Sequence, residues 1–304
     1  MRLEAKNLEK SFGEKCVLRG VSFAAEGGRA LGLLGRNGAG KTTSIRIVMQ
    51  VFPPDGGEVL LDGERLHTDR VRIGYLPEER GLYPKKPIFE QLVYFGRLAG
   101  LSKKQTVQNA ERLLKRLEVT QYRDKRLETL SKGNQQKIQL VATLIADPQI
   151  VILDEPFSGL DPVNAQLLKD VVRELIAQGK IVLFSSHQMN YIEEFCDDIA
   201  ILHEGEIALA GALRDIKRSF PRNVVDICGT DLVRVQTALR ESAPPWLINM
   251  DLQDDTLAVT LRDPADKAAL YRALEPCADV LDAVSVREPS LNEIFVHYTK
   301  GASV

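Results

Sequence analysis

The residues with the clearest chemical purpose are Gly35-Arg36-Asn37-Gly38-Ala39-Gly40-Lys41-Thr42, followed by Thr43. They fit the pattern G-x-x-x-x-G-K-[ST], in which glycines let the backbone fold tightly and aim its N–H groups at phosphate oxygens. The N-terminus of the following helix adds a favourable dipole. Lys41 is expected to reach the terminal phosphates, and the Thr42 hydroxyl to bind Mg²⁺. A chance match in a chain of this length has a probability of roughly 1% at average composition. A second cluster is Ile150-Val151-Ile152-Leu153-Asp154-Glu155, an apolar run ending in two acids. Asp154 suits a Mg²⁺ shell, and Glu155 suits a base that orients or deprotonates water. His187 follows another apolar run, Ile181–Phe184, and Ser185-Ser186. Leu130-Ser131-Lys132-Gly133-Asn134 opens a predicted helix, where free N–H groups, a hydroxyl and a close-approach glycine make a second anion site.

These side chains need a scaffold that brings strand ends together. Ala30–Leu34 reads as a strand running into the glycine loop, and Thr42–Gln50 as the helix that leaves it. The near-continuous apolar runs 150–153 and 181–184 mark parallel strands covered on both faces. Parallel sheets place ligands at the carboxyl ends of strands, so Asp154, Glu155 and His187 are expected to face the bound phosphates. Asp161 as N-cap, Pro162 at the first helical position and Gly179 beyond the end bracket a helix between those strands. Residues 1–30 alternate short apolar stretches with turns and predict an antiparallel β region. From about Tyr83 to Ala146 the pattern is helical. Ser102 and Gln105 form a capping box ahead of Val107, Leu113, Leu114 and Leu117, and a second helix is expected over Lys132–Ala146.

A polar, proline-bearing stretch at Lys217–Asn223 (KRSFPRN) predicts a boundary. Beyond it the expected order is strand (224–228), helix (232–240), strand (247–252), strand (256–261), helix (265–274), strand (280–286) and a last helix from Leu291. The order βαββαβ is ferredoxin-like. The fold class expected is α/β followed by a small α+β domain. This tail carries no metal cluster, nucleophile or phosphate loop, and reads either as a dimerisation or effector element or as a packing appendage.

Composition sets outer limits. The 304 residues carry a net charge of -2, which gives no global reason to expect nucleic acid. Cys16, Cys196, Cys228 and Cys277 are widely spaced and read as reduced thiols in a cytosolic protein. His67, His203 and His297 lack a comparable context and read as structural. The charged N-terminus lacks a signal peptide's apolar core, and no run approaches the ~20 apolar residues that span a bilayer. Any membrane role is expected to come through a partner.

Taken together and in this order, the motifs resemble the nucleotide-binding subunit of ABC transporters over about residues 1–215. Gly35–Thr43 matches the family's Walker A loop, Leu130–Asn134 its signature loop and Ile150–Glu155 its Walker B strand. Ser158-Gly159-Leu160-Asp161 matches the D-loop and His187 the switch histidine, while Phe12 stands where the family places an aromatic that stacks on adenine. The tail, closing in Glu288-Pro289-Ser290-Leu291-Asn292-Glu293-Ile294-Phe295, looks like the accessory domain of some bacterial exporter-type subunits.

The resemblance implies a nucleotide-binding domain at 1–219, with a helical part at about 83–148, and an accessory domain at 220–304. It implies ATP and Mg²⁺ as ligands, with Ser131, Gly133 and Asp161 of one subunit completing the site of a second. It also implies a permease partner on the inner face of the cell membrane, contacted around Phe89–Ala99, and ATP-driven closure coupled to export. A rival reading is a soluble ABC ATPase acting on the ribosome or on DNA. Against it stand the single phosphate loop and the absence of a long heptad run between Lys41 and Asp154. A third is a slow nucleotide sensor, motivated by two departures. Glu78 stands where most members carry a glutamine, so a charged oxygen replaces a neutral metal ligand. The signature reads LSKGN and not LSGGQ, keeping Ser131 and Gly133 but introducing Lys132 and Asn134.

Overall fold

The computed structural model describes residues 1–79, 81–242 and 244–299. It divides into two compact units, one formed by Met1–Leu213 with the segment from Phe295, the other by Arg214–Ile294.

In the first unit, β1 (Arg2–Phe12) and β2 (Lys15–Glu26) form a hairpin closed by Gly13-Glu14, with Phe12 paired to Lys15 at its tip. Gly13 supplies the positive φ, +59°, that so tight a reversal demands. β3 (Ala30–Gly35) then enters the core and is buried along its whole length, and α1 (Lys41–Val48) leaves the glycine loop. β4 (Gly56–Leu61) and β5 (Glu64–Arg65) complete an antiparallel sheet of order β2-β1-β4-β5.

β6 (Ile73–Leu76) leads into three helices: α2 (Ile88–Leu98), α3 (Lys103–Arg116) and α4 (Lys132–Leu144). The Ser102–Gln105 capping box is formed and starts α3, whose Leu113 and Leu114 are buried. Ser131 caps α4 by accepting from the Asn134 N–H. The second half of the unit alternates strand and helix. β7 (Ile150–Asp154) is followed by α5 (Pro162–Ala177), β8 (Ile181–Ser185) by α6 (Met189–Phe195), and then come β9 (Asp198–His203) and β10 (Glu206–Ala212). Asp161 caps α5 with Pro162 behind it, as the sequence predicts, and Gly179 turns the chain at φ +76°.

The central sheet has the order β10-β9-β3-β8-β7-β6, parallel except for the β10 edge. β3, β7 and β8 are buried along their whole length, and each of their Ile, Leu, Val and Phe side chains contributes about 1.5–3 kcal/mol on burial. Register is tight: Leu76 pairs with Leu153, Asp154 with Ser185, and Leu33 also with Ser185. The carboxyl ends of β3, β8, β7 and β6 therefore lie side by side at one rim of the sheet.

The second unit begins with α7 (Leu213–Ser219) and continues as β11 (Val224–Gly229), α8 (Leu232–Ser242), β12 (Leu247–Gln253), β13 (Thr256–Leu261), α9 (Lys267–Leu274) and β14 (Leu281–Val286). The chain ends its described part in α10 (Leu291–Thr299). The antiparallel sheet β12-β13-β11-β14 is the strand order of the ferredoxin-like fold. Val225, Ile227, Val235, Leu257, Val259 and Leu270 are buried in its core. The expected helix at 265–274 starts two residues later, because Asp263 caps a short 3-10 turn over Pro264–Asp266.

Candidate functional site

Four adjacent strand ends deliver the chemistry. From β3, the glycine loop turns through Gly38 at φ +84° and Gly40 at φ +114°, conformations an L side chain resists. At Gly40 a Cβ would also stand 2.5 Å from Leu18 Cδ2, so a side chain there would have to displace the buried Leu18 as well as strain the backbone. Ala39 is buried under the loop, while Asn37 and Thr42 are exposed and Thr43 is half-buried. Lys41 folds back over its own loop, Nζ donating to the Gly35 carbonyl at 2.5 Å and the Arg36 carbonyl at 3.3 Å. Burial pushes this ammonium below its ordinary pKa, while Asp154, Glu155 and Glu78 pull the other way. All three acids predicted for the site thus act on the one lysine predicted for it.

From β7 come the two acids. Asp154 is buried, and Tyr75 on the neighbouring strand donates its hydroxyl to Oδ2 at 3.2 Å. Desolvation raises the Asp154 pKa against the help of Ser185 and Tyr75. Glu155 adopts φ +49°, a left-handed conformation that ends the strand at once. Its buried carboxylate takes Ser186 Oγ on Oε2 at 2.9 Å. Oε1 takes the His187 backbone N–H at 2.7 Å and lies 2.6 Å from His187 Nδ1. The carboxylate is therefore held from three directions by the end of β8, and the histidine ring stays largely exposed, at 69%. A held carboxylate beside an exposed imidazole can orient water and meet a phosphate oxygen.

From β6, Glu78 follows Leu76-Pro77 and is exposed. Gln139 of α4 clamps the backbone on both sides of it, donating to the Pro77 and Glu79 carbonyls at 3.3 and 3.1 Å.

Thr42, Asp154 and Glu78 offer hard oxygens suited to Mg²⁺. Among the described residues no three His, Cys, Asp or Glu side chains gather closely enough to hold a metal by themselves. Mg²⁺ keeps most of its shell as water and substrate phosphate and takes one or two protein oxygens.

The remaining predicted residues lie elsewhere on the unit. Ser131 bonds within its own helix. Gly133 is buried against α5, where a Cβ would stand 3.0 Å from Asn164 Nδ2, and Asn164 in turn bonds to Asp161. Ser131, Gly133 and Asp161 thus share one edge. Asn134 donates to the Tyr122 hydroxyl at 3.2 Å. Phe12 presents half its surface to solvent at the hairpin tip, edge-on to Phe52 at 5.5 Å, with Lys10 over both rings. Asp55 anchors this tip through Lys10 and the Ser11 N–H.

Tyr75, Ser185, Ser186 and Gln139 support the site without having been singled out from sequence. Ser186 stood next to His187, and adjacency to a strand-end histidine was the signal that could have found it.

Two family models match the chain. The model described as "ABC transporter" matches residues 18–158, and "ATP-binding protein DrrA1-3-like, C-terminal domain" matches residues 211–299. An uncharacterized ABC transporter ATP-binding protein of Alkalihalophilus pseudofirmus is 42% identical over 87% of this chain and 97% of its own length. The Nod factor export ATP-binding protein I of Burkholderia lata is 33% identical over 86% of each chain. Among solved structures, an ATP-binding subunit of an ABC transporter superposes with a TM-score of 0.66 at 32% identity, covering 72% of this chain and 93% of that one.

Proposed function

Because the chain belongs to the family of ABC transporter ATP-binding proteins, whose shared activity is ATP hydrolysis, we propose that it is the motor subunit of a membrane exporter, closing on MgATP as a dimer. The observation that carries this reading is the alignment of Lys41, His187, Asp154–Glu155 and Glu78 on four neighbouring strand ends.

In this mechanism the glycine loop and Lys41 cradle the phosphates. Thr42 and Asp154 would hold Mg²⁺, with Glu78 as a further oxygen, and the bound ion would supply charge neutralisation of the phosphates. Glu155 orients the attacking water, and His187 contacts the γ-phosphate from the same side. Phe12 stacks on adenine. The Ser131–Gly133 edge, with Asp161 beside it, caps the nucleotide of a second subunit, so each site needs two chains. Loss of the γ-phosphate removes the preference for the closed pair.

Among the described residues no helix is long and apolar enough to cross a membrane. Membership in a transporter family favours permease subunits as partners, with this chain peripheral on the cytoplasmic face. A groove of about 390 Å³ between β6, α2 and α4, lined by Tyr75, Pro77, Leu82, Phe95 and Leu98, is the candidate seat for a permease segment. The similarity to a Nod factor export protein favours export as the direction. The test is to compare ATPase rates of the chain alone and with its co-purified membrane partner. Stimulation by the partner supports the motor reading, and a rate indifferent to any membrane protein contradicts it.

A further inference from the structure

Glu155 holds a conformation that its own covalent structure opposes. Its φ is +49°, where an L side chain crowds the following carbonyl, and the proline after it favours an extended backbone instead. Such strain persists only where the surroundings over-determine it. Part of the restraint comes from β8: the Glu155 N–H donates to the Ser185 carbonyl at 2.8 Å, and the carboxylate is held by Ser186 and His187. Ser158 closes the turn by donating its N–H to the Glu155 carbonyl at 3.2 Å. Phe157 is buried, and its ring stacks on Tyr191 at 4.1 Å.

A further restraint crosses from α4, where three consecutive amides reach three different places. Asn134 donates to the Tyr122 hydroxyl, Gln135 to the Leu130 carbonyl at 2.8 Å, and Gln136 to the Pro156 carbonyl at 3.2 Å. That last carbonyl lies in the peptide joining Pro156 to Phe157, so Gln136 pins the chain one residue beyond the strained position. Gln136 is half-buried, and as a neutral donor it adds no charge beside the buried Glu155 carboxylate. We propose that Gln136 is a positioning residue for hydrolysis: by holding the Pro156 carbonyl it keeps Glu155 in its left-handed conformation, with the carboxylate set to orient water. The inference rests on the reading of Glu155 as the group that acts on the attacking water.

The test compares ATP hydrolysis and MgATP affinity for the full chain, Gln136→Met, Glu155→Gln and the double variant, with single-turnover rates for the last two. Methionine keeps the length of the side chain and removes the donor. Loss of one neutral hydrogen bond that acts on the transition state corresponds to about a three- to tenfold change in rate. Gln136→Met should lower kcat by that factor and leave KM for MgATP unchanged. Added to Glu155→Gln, it should leave the residual single-turnover rate within about twofold, because the base it positions is already gone. An unchanged kcat in Gln136→Met, or the same fall in both backgrounds, overturns the proposal and makes Gln136 a structural residue. Should Gln136→Met fold poorly, Gln136→Glu tests the same bond by the same two outcomes, since its carboxylate cannot donate to the carbonyl it faces. A Glu155→Gln chain that keeps the wild-type rate overturns the reading of Glu155, and this proposal with it.

Discussion

His187 makes two contacts to one oxygen of Glu155: its backbone N–H donates to Oε1 at 2.7 Å, and its Nδ1 lies 2.6 Å from the same atom. The carboxylate is buried and the ring exposed, so the pair joins a fixed anchor to a surface that an incoming phosphate can reach. His187→Ala should lower kcat by about 10²–10⁴-fold, the range of a positioned proton-transfer or charge-stabilising group. ATP affinity should change little. Ser186→Ala removes only the bond to Oε2 and should give a smaller fall, about tenfold, with KM unchanged. Phosphate-release kinetics check both, and an unaltered kcat in His187→Ala would contradict the assignment.

Asp154 sets function against stability. Burial raises its pKa, so the folded chain holds the ionised form at a disadvantage. Asp154→Asn keeps an oxygen for Tyr75 and Ser185 while removing the charge. It should stabilise the nucleotide-free protein by about 1 kcal/mol, an increment typical of relieving a functional strain. Magnesium-dependent ATP binding should fall sharply. Thermal melts with and without MgATP test this; a lower melting temperature in the nucleotide-free variant would show that Asp154 is not strained.

Tyr75 gives the site an alkaline signature. Burial, then the charge of Asp154, pushes its hydroxyl from 10.0 up to about 12. An acid that holds its proton more tightly when folded stabilises the fold below its unfolded pKa. That contribution is lost as pH rises from about 10 towards about 12, because the unfolded chain releases the proton first. Tyr75→Phe should therefore flatten the fall in melting temperature across this window. Parallel wild-type and variant curves would remove Tyr75 from the account.

Phe12 tests the choice of base. Stacking of a base on an exposed aromatic contributes about 1–3 kcal/mol. Phe12→Ala should weaken ATP binding by about five- to a hundredfold while leaving binding of inorganic triphosphate unchanged. An equal loss for both ligands would mean that the hairpin tip acts only on the shape of the loop.

Much of this site was legible because its residues announce themselves locally. The glycine loop, the Asp154-Glu155 pair and His187 each end an apolar run, and a parallel sheet turns strand ends into a common rim. Helix starts were equally readable where a cap exists, as at Ser102, Ser131 and Asp161. The neighbour order β3-β8-β7-β6 was not, since pairing β3 with β8 joins residues about 150 positions apart through crossovers with no local mark. Tyr75 and Ser186 were missed for a related reason. A single tyrosine or serine has many uses, and these act only through the register that sets Tyr75 beside Ile152 and Ser185 beside Asp154.

The most direct test of the two-chain MgATP site is Glu155→Gln. The amide keeps the shape of the carboxylate but cannot serve as a base for water. Mixed with MgATP and examined by size-exclusion chromatography with light scattering, the variant should form a dimer that persists while phosphate release is nearly abolished. A Glu155→Gln protein that hydrolyses ATP at the wild-type rate, or that stays monomeric while binding MgATP, would contradict the account.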